Sequence, residues 1–481
     1  MKNLTSLIGK MACLALALFA VVACSDDETP SYSSTTLSAD SELKAILVEL
    51  GYTFNEDGNL LLDDLANSTT SLDLSGTNIS QSALAELSIL PNLTEVNLAN
   101  NGYGPVFYVD SLPSQITGLD LRGNEIYDFE GLVDASVVND EVIATVLHSF
   151  DKLYLPASCK YNVEDLMPFY TQNQTDGKTV DMQMVDDNGA LSAYNTLREM
   201  PDQYFRSFMK NLYPSVFTAD NKIDISKPLS VMERGVSLQL WFPYQYEDLE
   251  KIESLEGLEY FINNPYYPSF YVSFGYDEAE RNFSLSYLMP RENIKGLHLK
   301  QVDTPQGMDL SKATNLASVI ITGNKSIKTL DLSHTLIANQ EAKDVDVTLG
   351  NLLDCNNCES LQEIKLPLPN KGIIERIELM NLPSLKELDL SSIYAFHDMA
   401  LISLEVCDVI YPNATHYYSK FTDYPTIELL TERSDNYDLS VSEDVFNKES
   451  TKSFITKYRE YISDSWISYR KKGAYRWSKY M

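Results

Sequence analysis

Leu93-Thr94-Glu95-Val96-Asn97-Leu98-Ala99-Asn100-Asn101 is the stretch whose reading decides the fold. Apolar residues at 93, 96 and 98 are followed by an asparagine three places on. The alternation through Val96 and Leu98 is that of a short strand with one buried face. Ile116-x-x-Leu119-x-Leu121-x-x-Asn124 repeats the pattern, and Leu72-x-Leu74-x-x-Thr77-x-Ile79 precedes it in looser form. Leu74, Leu98 and Leu121 recur at intervals of about 24 residues, within the range of stacked repeats that share one continuous core. The asparagine falls where each circuit turns, and there its amide can bond backbone groups.

A second block begins at Ile294-x-x-Leu297-x-Leu299. It continues through Leu316-x-x-Val319-x-Ile321-x-x-Asn324, Ile327-x-x-Leu330-x-Leu332, Leu361-x-x-Ile364-x-Leu366, Ile374-x-x-Ile377-x-Leu379, Leu385-x-x-Leu388-x-Leu390 and Leu401-x-x-Leu404-x-Val406. Ile321 and Leu332, like Leu379 and Leu390, are only about half a repeat apart, so each such pair reads as two sides of one coil. The fold class expected is α/β: a leucine-rich-repeat solenoid of short strands and irregular coils, with an inserted α+β region and a C-terminal capping helix.

Cys358-Glu359-Ser360-Leu361-Gln362-Glu363-Ile364-Lys365-Leu366-Pro367 resembles the core of the BspA-like, or bacterial surface-antigen, class of leucine-rich repeat, and Leu153-Tyr154-Leu155-Pro156-Ala157-Ser158-Cys159 is a partial echo. The stretch from Lys44 to Asn101 is similar to the start of Bacteroidetes repeat lipoproteins, where a helix and a hairpin lead into the first coil. The resemblance covers about half the chain and leaves out 161–290 and 413–481. It implies surface exposure and binding by a concave face, and it brings no catalytic residue.

The N-terminus carries an address. Lys2 and Lys10 precede an apolar run from Met11 to Ala23, too short for a membrane-spanning helix of about 20 residues. Val21-Val22-Ala23-Cys24 resembles a lipobox, which implies lipidation at Cys24. The acidic run Ser25-Asp26-Asp27-Glu28 resembles the surface-export signal of Bacteroidetes lipoproteins. The division expected is a signal peptide (1–23), a lipidated tether (24–40), a helix-and-hairpin cap (41–66), the first repeat block (67–160), an aromatic-rich α+β insert (161–290), the second block (291–412) and a C-terminal region (413–481).

The chain has 69 acidic against 37 basic residues, a net charge of −32 that deepens once Lys2 and Lys10 leave with the leader. That balance argues against nucleic acid, whose phosphates need clustered Lys and Arg. The 30 tyrosines suit either a binding surface or strands. In the insert, residues from Tyr194 to Leu212 recur at helical spacing, and Phe270 to Tyr276 with Asn282 to Leu288 read as a hairpin. The aromatics from Tyr266 to Tyr287 suit stacking on sugar rings, and equally a sheet with aromatics buried on one face. Near the C-terminus, Phe454, Ile455, Tyr458, Tyr461, Ile462 and Trp466 read as one face of a basic helix, either capping the last coil or meeting a partner or membrane.

None of the five histidines lies in a metalloprotease motif, and no nucleophile-elbow or P-loop string occurs. Paired carboxylates need no motif and stay open. Cys355-x-x-Cys358 falls at a turn before a strand and reads as structural, with pairing among Cys159, Cys355, Cys358 and Cys407 open.

The function expected is a non-enzymatic binding protein without cofactor or metal. It is lipid-anchored at the outer membrane and exposed at the cell surface, and it takes an extracellular protein or peptide on a strand column. Asp73, Asn97 and Asp120 line that column in the first block, and His298, Asp331, Lys365, Glu378 and Asp389 in the second. The alternatives are a glycan-binding lipoprotein of a polysaccharide-uptake system, or a carbohydrate-active hydrolase in the insert.

Overall fold

A computed structural model of the chain describes residues 32–38, 40–139, 141–227, 237–239, 251–266, 270–274, 282–341, 344–345, 349–367, 372–413, 416–419, 426–429, 431–432, 438–462, 466–471 and 474–479. The leader, Cys24 and the acidic run after it lie outside the described residues. The chain divides into two compact units: residues up to Thr69 with Ile89–Asn92, and Thr70–Ser88 with Leu93 onward. The fold is mixed α/β, with mostly short strands and few helices, and among the described residues no sheet closes into a barrel.

In the first unit, Ser41 caps the helix Glu42–Glu49 by accepting the Lys44 N–H at 3.0 Å. Leu43 and Leu47, one turn apart, are buried. Gly51, at φ +90°, ends the helix in a conformation that glycine takes without strain. Phe54 bridges Leu60 antiparallel, and Leu60–Leu61 pairs with Ser34–Thr35.

The second unit is organised by two sheets. In the first, Ser71–Asp73, Glu95–Asn97, Gly118–Asp120, Lys152–Leu155 and Asp181–Val185 lie parallel in chain order, and Leu191–Ala193 adds an antiparallel edge. In the second, Ser237–Gln239, Phe270–Phe274, Ile294–Lys300, Ser318–Thr322, Leu352–Asn356, Ile373–Met380, Ala395–Ile402, Asp438–Ser442 and Trp466–Lys471 follow one another in parallel. The antiparallel strand Ala474–Lys479 ends the row.

Between visits to the second sheet the chain crosses to short parallel ladders. Thr329–Asp331 pairs with Glu363–Lys365, and Glu387–Asp389 with Asp408–Ile410. Ile321 and Leu379 thus lie in strands of the large sheet, while Leu332 and Leu390 directly follow strands of the short ladders. Leu299, Ile321, Cys355, Leu379 and Leu401 occupy one register column, and Leu297, Val319, Leu353, Ile377 and Met399 another. All ten are buried. Burying each such aliphatic side chain contributes roughly 1.5–3 kcal/mol.

The turn asparagines act as the spacing implied. Asn124 Nδ2 donates to the carbonyls of Leu121 (2.8 Å) and Leu98 (3.1 Å), and its Oδ1 accepts the N–H groups of Asn101 (3.0 Å) and Tyr103 (3.1 Å). Asn101 repeats this one circuit earlier, donating to Leu98 and Leu74 and accepting from Asn78. Asn124 is 3 % exposed, so its loss strands several buried backbone groups. Asn124→Ala is expected to cost about 2–3 kcal/mol in denaturant unfolding, several times a surface substitution. A loss within about 0.5 kcal/mol would remove the ladder as a source of stability.

Several expectations are corrected. Phe270–Phe274 and Phe283–Ser284 do not form a hairpin: the first pairs with Ile294–Lys300 and the second with Val302–Asp303, both parallel. The alternation signalled strands, but each finds its partner in the next circuit. The boundaries at 161 and 290 do not match the sheets, since Asp181–Val185 extends the first sheet and Phe270–Phe274 the second. The helix expected from Tyr194 starts at Gln203, after Pro201 and the Asp202 cap. The C-terminal helix is Glu449–Lys457, with Phe454 stacked at 4.5 Å on Tyr411 beside the Asp408–Ile410 strand. Trp466 does not continue it but opens a strand.

Candidate functional site

The expected strand columns are present in part. Asp73, Asn97 and Asp120 stand in register, and the column continues through Tyr154 and Gln183. In the second block the expected set is split. Glu378 lies on the large sheet, in register with Asp354 and Ala400. Asp331 pairs with Lys365 on one short ladder, and Asp389 pairs with Ile410 on another. His298 shares the large sheet's column with Ile320, Asp354 and Glu378. The half-repeat spacing is the reason, because alternate L-x-x-L-x-L runs serve different ladders.

The acids in these columns also have local work. Asp73, Asn97, Asp120, Asp331 and Asp389 each accept the N–H two residues on, from Ser75, Ala99, Arg122, Ser333 and Ser391, at 2.8–3.1 Å. This is the bond by which Asp and Asn start a turn. Asp120 also grips the Arg122 guanidinium, and the Lys365 ammonium stands 3.7 Å from Asp331. Asp recurs at strand ends because the turn requires it, which limits what the column offers a ligand.

On the large sheet, Gly296 has no side chain where a Cβ would come within 2.3 Å of the Tyr271 ring. Tyr271 therefore lies across the strand and bonds His298 Nδ1 at 2.6 Å, while His298 Nε2 meets Ser318 Oγ at 2.7 Å. Burial, with Lys300 and Arg376 nearby, pushes His298 down to about 4. It is neutral at physiological pH. Ser318 is fully buried, so the chain of three is a structural relay rather than an exposed nucleophile.

A cavity of about 580 Å³ lies among segments distant in sequence. Tyr127, Lys160, Tyr161, Glu256, Glu259 and Tyr287 are among the residues that line it. Tyr127 and Tyr287 stack at 4.4 Å. Lys160 joins Asp187 at 2.8 Å and also meets Glu256. Glu259 is 4 % exposed; its carboxyl accepts the N–H of Gly257 at 2.8 Å and of Ser286 at 3.4 Å, and burial pushes it up to about 7.

Arg291 joins this cavity to an ion cluster beneath it. Its guanidinium bonds Asp128 at 3.0 Å and contacts Glu164, and Lys312 meets Asp128 at 2.8 Å. Burial pushes Asp128 up, but Arg291 and Lys312 outweigh it and hold the carboxyl below its ordinary range. Asp165 is raised well above the usual range by burial and by the neighbouring charges of Asp128 and Glu164. Oxygens of Asp128, Glu164 and Asp165 converge within 4.8 Å, as do ligand atoms of His397, Asp398 and Asp438. In the first group two protein cations already supply the neutralising charge.

The tyrosine run Tyr266 to Tyr287 was singled out from sequence, and Tyr287 does reach the cavity. Tyr127, Lys160, Glu259 and Arg291 were not, since none carries a local motif. The one available signal was Met289-Pro290-Arg291, a cation between apolar residues and a core strand. No helix among the described residues is long and apolar enough to cross a membrane. No protein-family model matches the chain, nor does any curated protein or solved structure.

Proposed function

We propose that this chain is a non-enzymatic surface lipoprotein, anchored at Cys24 and built as a leucine-rich-repeat solenoid of the BspA-like class, that binds an extracellular glycan in the cavity beside Tyr127 and Tyr287. The alternating ladders and the asparagine spine support the repeat reading. The observation that carries the ligand reading is the stacked tyrosine pair on the wall of a cavity of about 580 Å³, with carboxylates and amides around it. Aromatic faces take the apolar face of a sugar, while convergent polar groups take its hydroxyls. The protein-or-peptide reading gives way because the column residues it relied on are bonded within their own turns or lie on separate ladders.

The test is an array of glycans and host proteins probed with the chain from Ser25 onward. Glycan binding is expected, weakened roughly tenfold in Tyr127→Ala and unchanged in Asp331→Ala and Asp389→Ala. Protein binding that is lost in the two Asp variants would restore the strand-column reading. Glu259, which lines the cavity with Glu256 and is raised by burial to about 7, favours one further reading, a hydrolase in which it acts as acid. New reducing ends appearing in bound glycans, and absent with Glu259→Gln, would establish that reading instead.

A further inference from the structure

Cys355 lies in the Leu352–Asn356 strand and Cys358 on the turn after it. Cys355 stands in the register column of Ile321 and Leu379, where its neighbours are larger aliphatic residues. Cys358 holds the place that Asn101, Asn124 and Asn324 hold in other circuits, three residues beyond the inward strand residue. There its S–H reaches the Asn356 carbonyl at 3.5 Å and the Ile321 carbonyl at 3.7 Å, a weak form of what the asparagine amide does elsewhere. This circuit has therefore lost an aliphatic filler and a strong turn anchor together. Asn357, between the cysteines, has φ +55°, and this left-handed residue curls the chain so that both side chains enter the core. They are 1 % and 0 % exposed, with their sulfurs 3.6 Å apart.

We propose that Cys355 and Cys358 are a dithiol that closes to a disulfide by exchange with a disulfide-bearing oxidant, giving this circuit a covalent turn anchor in place of the asparagine. Closure removes two thiol hydrogens and forms one S–S bond. The thiolate of Cys358 attacks the oxidant's disulfide and releases one thiolate. The thiolate of Cys355 then attacks the Cys358 sulfur in the mixed disulfide and releases the second. The two protons lost by the cysteines go to the two departing thiolates, and the oxidant is reduced by two electrons. Before this turn packs neither thiol is favoured, and the same exchange runs with the two cysteines' roles reversed. Since both sulfurs are buried in the folded chain, exchange belongs to the stage before this turn packs. Cys159 and Cys407 are free and buried, and no sulfur contact joins them to the pair.

The test is cell-free synthesis of the full chain in glutathione buffers from fully reduced to fully oxidised. The soluble product is alkylated under denaturing conditions and digested with trypsin. Both cysteines fall in one peptide, Asp344 to Lys365. In oxidising buffer this peptide is expected to be two hydrogens lighter than the dithiol and to take up no alkyl group until reduced. In the same buffer Cys355→Ser is expected to hold Cys358 as a glutathione adduct, which takes up an alkyl group only after reduction. In the parent chain, two alkylated thiols across the whole range, or a stable glutathione adduct on either cysteine, would overturn the proposal.

Discussion

Arg291→Leu is expected to destabilise the second unit by about 3–5 kcal/mol in denaturant unfolding, the largest effect of any single substitution considered. Asp128 is fully buried, and its charge is held by Arg291 and Lys312. Removing the guanidinium leaves Asp128, Glu164 and Asp165 crowded around one lysine. The cost is that of a buried charge without its partner, not the net worth of the original pair. The double variant Arg291→Leu with Asp128→Asn should therefore recover a good part of the loss. Lys152→Ala, which breaks a half-buried contact of 3.0 Å with Glu95, is expected to cost under about 1 kcal/mol. If Arg291→Leu and Lys152→Ala cost the same, the cluster is not the structural pivot argued for it.

Stability between pH 4 and 7 is expected to hide two opposing contributions of about 3 kcal/mol each. Glu259 titrates at about 7 in the folded chain against an ordinary 4.5. The folded state then holds a proton that the unfolded state has released, so this contribution is complete below about 4.5 and is lost as pH rises through about 7. His298 titrates at about 4 against an ordinary 6.5. There the unfolded state binds the proton first, so its contribution is complete above about 6.5 and is lost as pH falls through about 4. Glu259→Gln keeps one oxygen for the closer Gly257 N–H, gives up the longer bond from the Ser286 N–H, and cannot titrate. Its stability should fall more steeply on acidification than that of the parent chain. His298→Gln should lose that fall and grow more stable as pH drops. Denaturation midpoints at half-unit steps of pH decide the matter, and variant curves running parallel to the parent's would remove both assignments.

What could be read in advance follows the range of the interactions. Leu98 and Asn101, or Leu121 and Asn124, declare a strand and its turn because a short window of residues must satisfy its own backbone. Phe270–Phe274 declared itself a strand in the same way, yet its partner lies in Ile294–Lys300, and no local pattern names a partner. Trp466 continued the apolar spacing of Phe454 and Tyr458, and only the end of the helix at Lys457 shows that the spacing was coincidental. Glu378 and Asp389 looked alike because both follow an inward aliphatic residue, and the alternation of ladders separates them. The cavity was least legible. Its chemistry comes from Tyr127, Lys160, Glu259 and Arg291, which meet only when two sheets and the segments between them are in place.

The asparagine spine gives the first sheet a direction. Each turn asparagine serves the N–H and C=O groups of the circuit before it: Asn124 serves Asn101, and Asn101 serves Asn78. Truncating the row after Leu98 strips the earlier turn of its acceptor and leaves backbone groups with nothing to bond. Cutting away the earliest circuit frees strand groups such as the Glu95 N–H and the Asn97 carbonyl, as a cut at either end must, but it leaves every remaining turn its asparagine. Shortening from the two ends is therefore not equivalent, and fragments that keep the later circuits should outlast fragments that keep the earlier ones.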